Sequence, residues 1–200
     1  MNSTAKLPKI ILASSSPFRK ALLQKLGLPF MTENPAIDET PLPQESVVNM
    51  VNRLSLAKAQ VIAEKHPNAI VIASDQSATY RDKAVGKPHT YQNALQQLKQ
   101  FSGETVHFNT GLVVFDGRTQ KTYQTLDITK VSFRTLSETD IHNYLILEEP
   151  YQCAGSFKSE GLGITLFSKI EGKDPNALIG LPLIDLTSFL KQCDIQLPFL

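Results

Sequence analysis

The apolar residues of this chain recur with two alternating periods. Residues 9–14, "KIILAS", form a short apolar run that reads as a buried strand. Pro17–Leu26 follows, with Phe18, Leu22, Leu23 and Leu26 at helical spacing. Ser16 suits the N-cap of that helix, Pro17 its first turn and Gly27 its C-terminal stop. A short strand is expected near Phe30, and "NPAIDETPLP", with three prolines in ten residues, reads as loop. The spacing predicts a long helix over roughly Glu45–Lys65, with Val48, Val51, Leu54, Ala57 (or Lys58) and Val61 on one stripe. "NAIVIASD" is the strongest strand and closes on polar Ser74, Asp75 and Gln76. Residues 77–86 then read as a hairpin and Tyr91–Phe101 as a helix.

The second half is richer in strands. "ETVHFNTGLVVFD" and "KTYQTLDITKVSFRT" predict a hairpin turning at Asp116-Gly117. Ser137 and Asp140 have capping-box spacing for a helix reaching about Leu147. "GLGITLF" reads as a strand and Leu183–Gln192 as a final helix. With no internal repeat, low-complexity tract or linker, the expectation is a mixed α/β fold over residues 1–200 as one domain. Its sheet is shared by two lobes with a cleft between them.

Charge narrows the partners. Twenty basic and nineteen acidic residues leave a net charge of +1, which gives no global reason to bind nucleic acid or an anionic membrane. The apolar runs fall far short of the ~20 residues of a membrane span. "MNSTAKLPKI" has no apolar signal core, and Cys153 and Cys193 stand far apart, so a reduced, cytoplasmic protein is expected. The four histidines lack ligand-like spacing for zinc.

Several polar stretches carry candidate chemistry. "SSSPFRK" loads a strand-to-helix junction with hydroxyls and sets Arg19 and Lys20 in the first helical turn. Cations there oppose the positive end of the helix dipole, so an anion is expected between them. An ordinary capped helix accounts for Ser16 and Pro17 without function, but not for Arg19 beside them; backbone N–H groups, Ser14, Ser15, Ser16 and the guanidinium would together make a phosphate cradle. Asp38 and Glu39, in a proline-rich loop, suit either solvent or a hard cation such as magnesium. Asp75, directly after an apolar strand, suits a turn, a general base or a metal ligand. Lys87 lies between Gly86 and Pro88, which suits either an exposed surface lysine or a turn that aims its ammonium. Lys58 lies beside the apolar stripe, where snorkelling explains it. Three glycines surround Lys158, Ser159 and Glu160 and permit close approach of a ligand.

The set "ILASSSPFRKALL", "IDET", "LAKAQ", "ASDQ", "GKP", "FSG", "CAGSFKSEGLGITLF" and "GLPL" resembles the Maf family of nucleoside triphosphate pyrophosphatases, in family order from about residue 9 to residue 184. The resemblance implies an elongated, inosine-triphosphatase-like α/β fold, often dimeric, and a cytoplasmic, metal-dependent enzyme. Such an enzyme uses Mg²⁺ or Mn²⁺ and cleaves a nucleotide between its α- and β-phosphates. By position, the catalytic carboxylate falls on Asp75, phosphate-side cations on Arg19, Lys58 and Lys87, and the acidic loop on Asp38 and Glu39. Glu39 and Asp75 are the implied metal ligands, and Ser14 and Ser16 belong to the substrate cradle. "SDQ" with "KSEG" is similar to the branch acting on 7-methylguanosine triphosphate, whose activity would keep modified nucleotides out of nucleic acids. The thymidine and uridine triphosphate branch typically has Asp-Thr in place of Asp75-Gln76 and Gln-Gly in place of Glu160-Gly161. Phe18, Gln76 and Glu160 are thereby implied as base-selecting residues; Phe18 stands where members of the first branch carry tryptophan. Two other classes make different demands on the sequence. A nucleotide-sensing regulator of cell division would need the cradle without the carboxylates, and a nucleic-acid binder would want a basic, aromatic face.

Overall fold

The computed structural model describes residues 7–198, so the expectation for the N-terminal leader rests largely on residues outside those described. Among the described residues seven strands form one mixed sheet. They are β1 (Ile10–Ala13), β2 (Met31–Glu33), β3 (Ile70–Tyr80), β4 (Lys83–Val85), β5 (Thr105–Asp116), β6 (Lys121–Phe133) and β7 (Phe167–Glu171). The order is β2-β1-β3-β5-β6-β7, with β4 pairing β3. β1 runs parallel to β2 and β3, and every other pairing is antiparallel.

Among the described residues five α-helices cover the sheet: α1 (Pro17–Gln24), α2 (Val47–Lys65), α3 (Tyr91–Phe101), α4 (Glu138–Glu148) and α5 (Leu183–Gln192). Serine or threonine side chains cap four of them, and α4 has the full Ser137–Asp140 capping box. α5 begins after Pro182, which offers no capping side chain. Instead Asp174 reaches in from a preceding loop, and its Oδ2 accepts from Ile184 N at 2.6 Å. Among the described residues no helix is long and apolar enough to cross a membrane.

Side-chain alternation along β3 explains the layers. Ile70 and Ile72 face α1 and α5, packing with Leu22, Leu23, Leu186 and Leu190. Val71 and Ala73 face α2, packing with Ala59 and Ile62. A separate apolar core occupies the far end of the long strands, where α3 and α4 meet Phe101, Phe108, Phe133 and Phe157. The first two clusters, on opposite faces of the sheet, make one lobe and the third makes the other, and the same three strands, β3, β5 and β6, run through both.

The structure corrects several expectations. β3 does not end at Asp75 but runs on to Tyr80, because β5 pairs with it from Ile70 to Thr79 and keeps its polar middle buried. The hairpin then turns at Arg81 and Asp82, both in the left-handed region. α1 stops at Gln24 rather than Leu26. "GLGITLF" is a 3-10 turn over Leu162–Leu166, with β7 starting only at Phe167. The β5–β6 connection is a four-residue turn, not a two-residue Asp-Gly turn. Gly117 is needed there for closeness, since a Cβ would stand 2.2 Å from the Pro67 carbonyl oxygen. On α2 the buried stripe is Val51, Leu54, Ser55, Lys58, Ala59 and Ile62, while Val48 is exposed. Lys58 therefore lies within the buried face instead of snorkelling from its edge.

Candidate active site

The topology leaves a gap beside β3. β1 pairs with it only as far as Ile72, and β4 joins the same edge only at Ala78. Between those points the edge of β3 is open, and a cleft of about 510 Å³ enters there. Asp75 and Gln76 point to opposite faces of the sheet, yet both line the cleft because it wraps around the open edge.

Lys58 organises one side. Its Nζ lies 2.6 Å from Asp75 Oδ1 and 2.8 Å from Glu39 Oε1. Lys58 and Asp75 are buried, at 5% and 6% exposure, whereas Glu39 is exposed on its loop. A buried ammonium is tolerated because the carboxylates neutralise it. Its position follows from the sequence of β5. Gly111 is the cross-strand partner of Asp75 and meets Ser55 and Val51 of α2 so closely that a Cβ would stand 2.5 Å from Ser55 Oγ. The helix can sit low only over that glycine, and Lys58, one turn beyond Ser55, is thereby brought onto Asp75.

The junction after β1 supplies the second group. Ser14 Oγ accepts from Ser16 N at 3.1 Å, and Ser16 Oγ accepts from Arg19 N at 3.3 Å. Both hydroxyl hydrogens remain to be donated outward. Arg19 Nε donates to the Gly180 carbonyl at 3.0 Å, which pins the guanidinium and leaves its terminal nitrogens for a ligand. Burial lowers the Arg19 pKa, while nearby Asp75 and Glu39 favour its charged form. Phe18 is 38% exposed and faces the same space.

The other lobe contributes Lys87, Lys158, Ser159 and Glu160, with Phe108 and Phe157 as an apolar floor. Lys87 and Glu160 are exposed, the latter near Ser159 Oγ at 3.4 Å. The residues assigned to the site from sequence, from Ser14 to Glu160, thus border one cleft, with the exception of Asp38. Its Oδ1 accepts from Thr40 N and Thr40 Oγ1, at 2.9 and 2.6 Å, and those bonds hold its carboxyl below the usual range.

Sequence reasoning missed the backing of the cleft, residues 172–182, a loop without periodicity that crosses the sheet. Four side chains fasten it. Ser74 and Arg19 donate to Gly180 O, Thr110 donates to Ala177 O, and Gln76 Nε2 donates to Ala177 O and Leu178 O at 2.8 and 3.0 Å. The Gln76 amide hydrogens are thereby engaged with protein, and its oxygen is the group it can offer a ligand. The "GLPL" segment was the available signal for this loop.

Beneath the same loop Asp127 is 4% exposed, and its Oδ2 has no hydrogen-bond partner among the described residues. Desolvation raises its pKa, with help from Asp174 and Asp185 and against Thr129 and Lys173. The folded state therefore holds this proton more tightly than the unfolded chain, and stability falls as pH rises from the ordinary carboxylate range through the raised value. Asp127→Asn is expected to gain roughly 1–3 kcal/mol relative to the native chain near neutral pH, the scale of an unsatisfied buried group. The gain should fall away below about pH 3, where the carboxyl is protonated in both states. Thermal melting from about pH 3 to 8 checks this, and a difference independent of pH would contradict it.

Glu39 and Asp75 also pass a test for a hard cation, since two carboxylate oxygens converge on one point, now taken by Lys58 Nζ. Magnesium is commonly held by one or two carboxylates plus substrate phosphates. Among the described residues no group of three or more Asp, Glu, His or Cys side chains could hold a metal alone.

A family model described as Maf-like protein matches residues 9–193. The chain belongs to the Maf family. Among Maf relatives, the 7-methyl-GTP pyrophosphatase of Hydrogenovibrio crunogenus (strain DSM 25203 / XCL-2) is 90% identical over 200 residues, all of both chains. The 7-methyl-GTP pyrophosphatase of Colwellia psychrerythraea (strain 34H / ATCC BAA-681) is 51% identical over 187 residues, 94% of each chain. That of Nitrosococcus oceani (strain ATCC 19707 / BCRC 17464 / JCM 30415 / NCIMB 11848 / C-107) is 53% identical over 185 residues, 92% of this chain and 93% of the relative. The Staphylococcus aureus Ham1 protein structure overlaps this Maf chain in part, with a TM-score of 0.44 and 14% identity over 64% of this chain and 72% of that one.

Proposed function

We propose that the chain hydrolyses 7-methylguanosine triphosphate to 7-methylguanosine monophosphate and pyrophosphate, with a divalent cation, Mg²⁺ or Mn²⁺. The observation that carries this reading is one cleft in which a buried Lys58–Asp75 pair and a serine–arginine cradle from one lobe face Lys87 and Glu160 from the other. The first group suits a triphosphate, and the second adds a carboxylate for the base.

The serine hydroxyls, Arg19 and Lys87 take the phosphate oxygens. Lys58 exchanges a carboxylate for a phosphate oxygen when the nucleotide enters. Glu39 and Asp75 would hold the cation, which supplies Lewis-acid neutralisation of the phosphate charge. Asp75 orients the attacking water or takes its proton. The water oxygen bonds to the α-phosphorus as the bond to the bridging oxygen breaks, and the electron pair leaves on pyrophosphate.

Methylation at position 7 makes the guanine ring cationic and its ring N–H more acidic. Glu160 accepts from that N–H and from the exocyclic amine, and its charge attracts the ring. Gln76 offers an acceptor oxygen, which suits a donating base edge. Phe18 stacks on the ring, where a cation–π attraction of ~0.5–2 kcal/mol favours the methylated base. A reducing, cytoplasmic compartment is part of the same reading, since Cys153 and Cys193 stand far apart in the sequence.

Product analysis tests the reaction. Pyrophosphate is the expected primary product, with activity abolished by excess EDTA and restored by Mg²⁺ or Mn²⁺. Orthophosphate as the primary product, or full activity in EDTA, would sink the reading.

A further inference from the structure

Glu160 sits on an exposed loop, and a glutamate free to change rotamers would read a base poorly. The structure shows what restrains that loop. α4 ends at Glu148, whose carboxylate reaches both sides of the segment carrying Glu160. Oε2 accepts from Leu162 N at 2.8 Å, and Oε1 lies 3.2 Å from Lys158 Nζ. Lys158 Nζ also donates to the Glu148 carbonyl at 2.8 Å, a cation placed at the negative end of the helix.

The closure is tight. The Lys158 carbonyl accepts from Gly161 N and Gly163 N, at 3.2 and 3.1 Å. A Cβ on Gly161 would stand 2.7 Å from Glu148 Oε2, so glycine lets the carboxylate take this seat. The Glu148 side chain is only 16% exposed and does not border the cleft, whereas Lys158, Ser159 and Glu160 all do. Among the described residues its carboxylate hydrogen-bonds and ion-pairs with this loop alone.

We infer that Glu148 is a positioning residue for base selectivity: it closes residues 158–162 into the shape that presents Glu160 to the base. The inference rests on Glu160 being the base-reading carboxylate.

The test measures kcat and KM for 7-methylguanosine triphosphate and UTP in the native chain, Glu148→Ala, Glu148→Gln, Glu160→Ala and the Glu148→Ala/Glu160→Ala double variant. Glu148→Ala is expected to lower the ratio of the two kcat/KM values roughly tenfold, the scale of one lost charge-assisted hydrogen bond. The loss should lie in KM for the methylated nucleotide, with kcat nearly unchanged. Glu148→Gln keeps an acceptor for Leu162 N and should restore most of the ratio. In the Glu160→Ala background, adding Glu148→Ala should change the ratio no further. Gly161→Ala, which displaces the carboxylate without removing a charge, should repeat the loss and serves if Glu148→Ala does not fold. If Glu160→Ala leaves the ratio intact, the base-reading role fails and this inference with it. If Glu160→Ala erodes the ratio while Glu148→Ala and Gly161→Ala do not, the role of Glu148 alone is overturned. An equal effect of Glu148→Ala with and without Glu160 would overturn it too.

Discussion

Asp75→Asn is expected to lower kcat roughly a hundredfold or more, the scale of a general-base contribution, while leaving the fold intact. Asparagine is nearly isosteric, cannot take a proton from water and is a poorer metal ligand. The substitution removes no apolar contact, and backbone pairing with Gly111 is unaffected. Lys58 keeps Glu39 at 2.8 Å, so its charge is not left bare. Turnover at saturating nucleotide and metal, read beside a melting curve, checks both halves. Titration with Mn²⁺ then separates the roles. A metal ligand moves the midpoint of metal binding, whereas a base alone does not. Near-native turnover would remove Asp75 from the chemistry.

Lys58→Met should damage both stability and activity. It withdraws the ammonium from between two carboxylates and leaves buried Asp75 facing Glu39 unneutralised. Breaking a buried pair from one side costs roughly 3–5 kcal/mol. For a chain of this size that corresponds to a fall of roughly 6–20 °C in melting temperature. Methionine fills a similar volume, so a cavity is not the cause. The double variant Lys58→Met/Asp75→Asn should melt higher than Lys58→Met alone, because the stranded charge is gone. Mn²⁺ should recover part of the loss in the single variant by binding between Glu39 and Asp75. A melting temperature within a degree or so of the native chain would contradict the account of the pair.

Elements with strong local signals were legible in the sequence. Tyr91–Phe101 and Leu183–Gln192 have the expected bounds, and Ser137 with Asp140 forms the expected capping box. Local pattern failed where burial comes from distant segments. Ser74, Asp75 and Gln76 look like the end of a strand, yet β3 continues because β5, α2 and the 172–182 loop cover them. Lys58 looked like a snorkelling lysine because its neutralising partners lie elsewhere in the chain. The glycines of "GLGITLF" and the bond from Leu162 to Glu148, fourteen residues away, make that segment a 3-10 turn rather than a strand. The site residues were legible as a family pattern. What held them in place was not, since Gly111, Thr110 and Glu148 act through packing and hydrogen bonds that leave no motif.

The most direct test of the central claim is a competition assay in which 7-methylguanosine triphosphate, GTP, UTP and thymidine triphosphate are offered together with Mg²⁺ or Mn²⁺ and the products identified by mass. The account predicts that 7-methylguanosine triphosphate is consumed first, with 7-methylguanosine monophosphate and pyrophosphate formed in equal amounts. Prior consumption of UTP or thymidine triphosphate would contradict it.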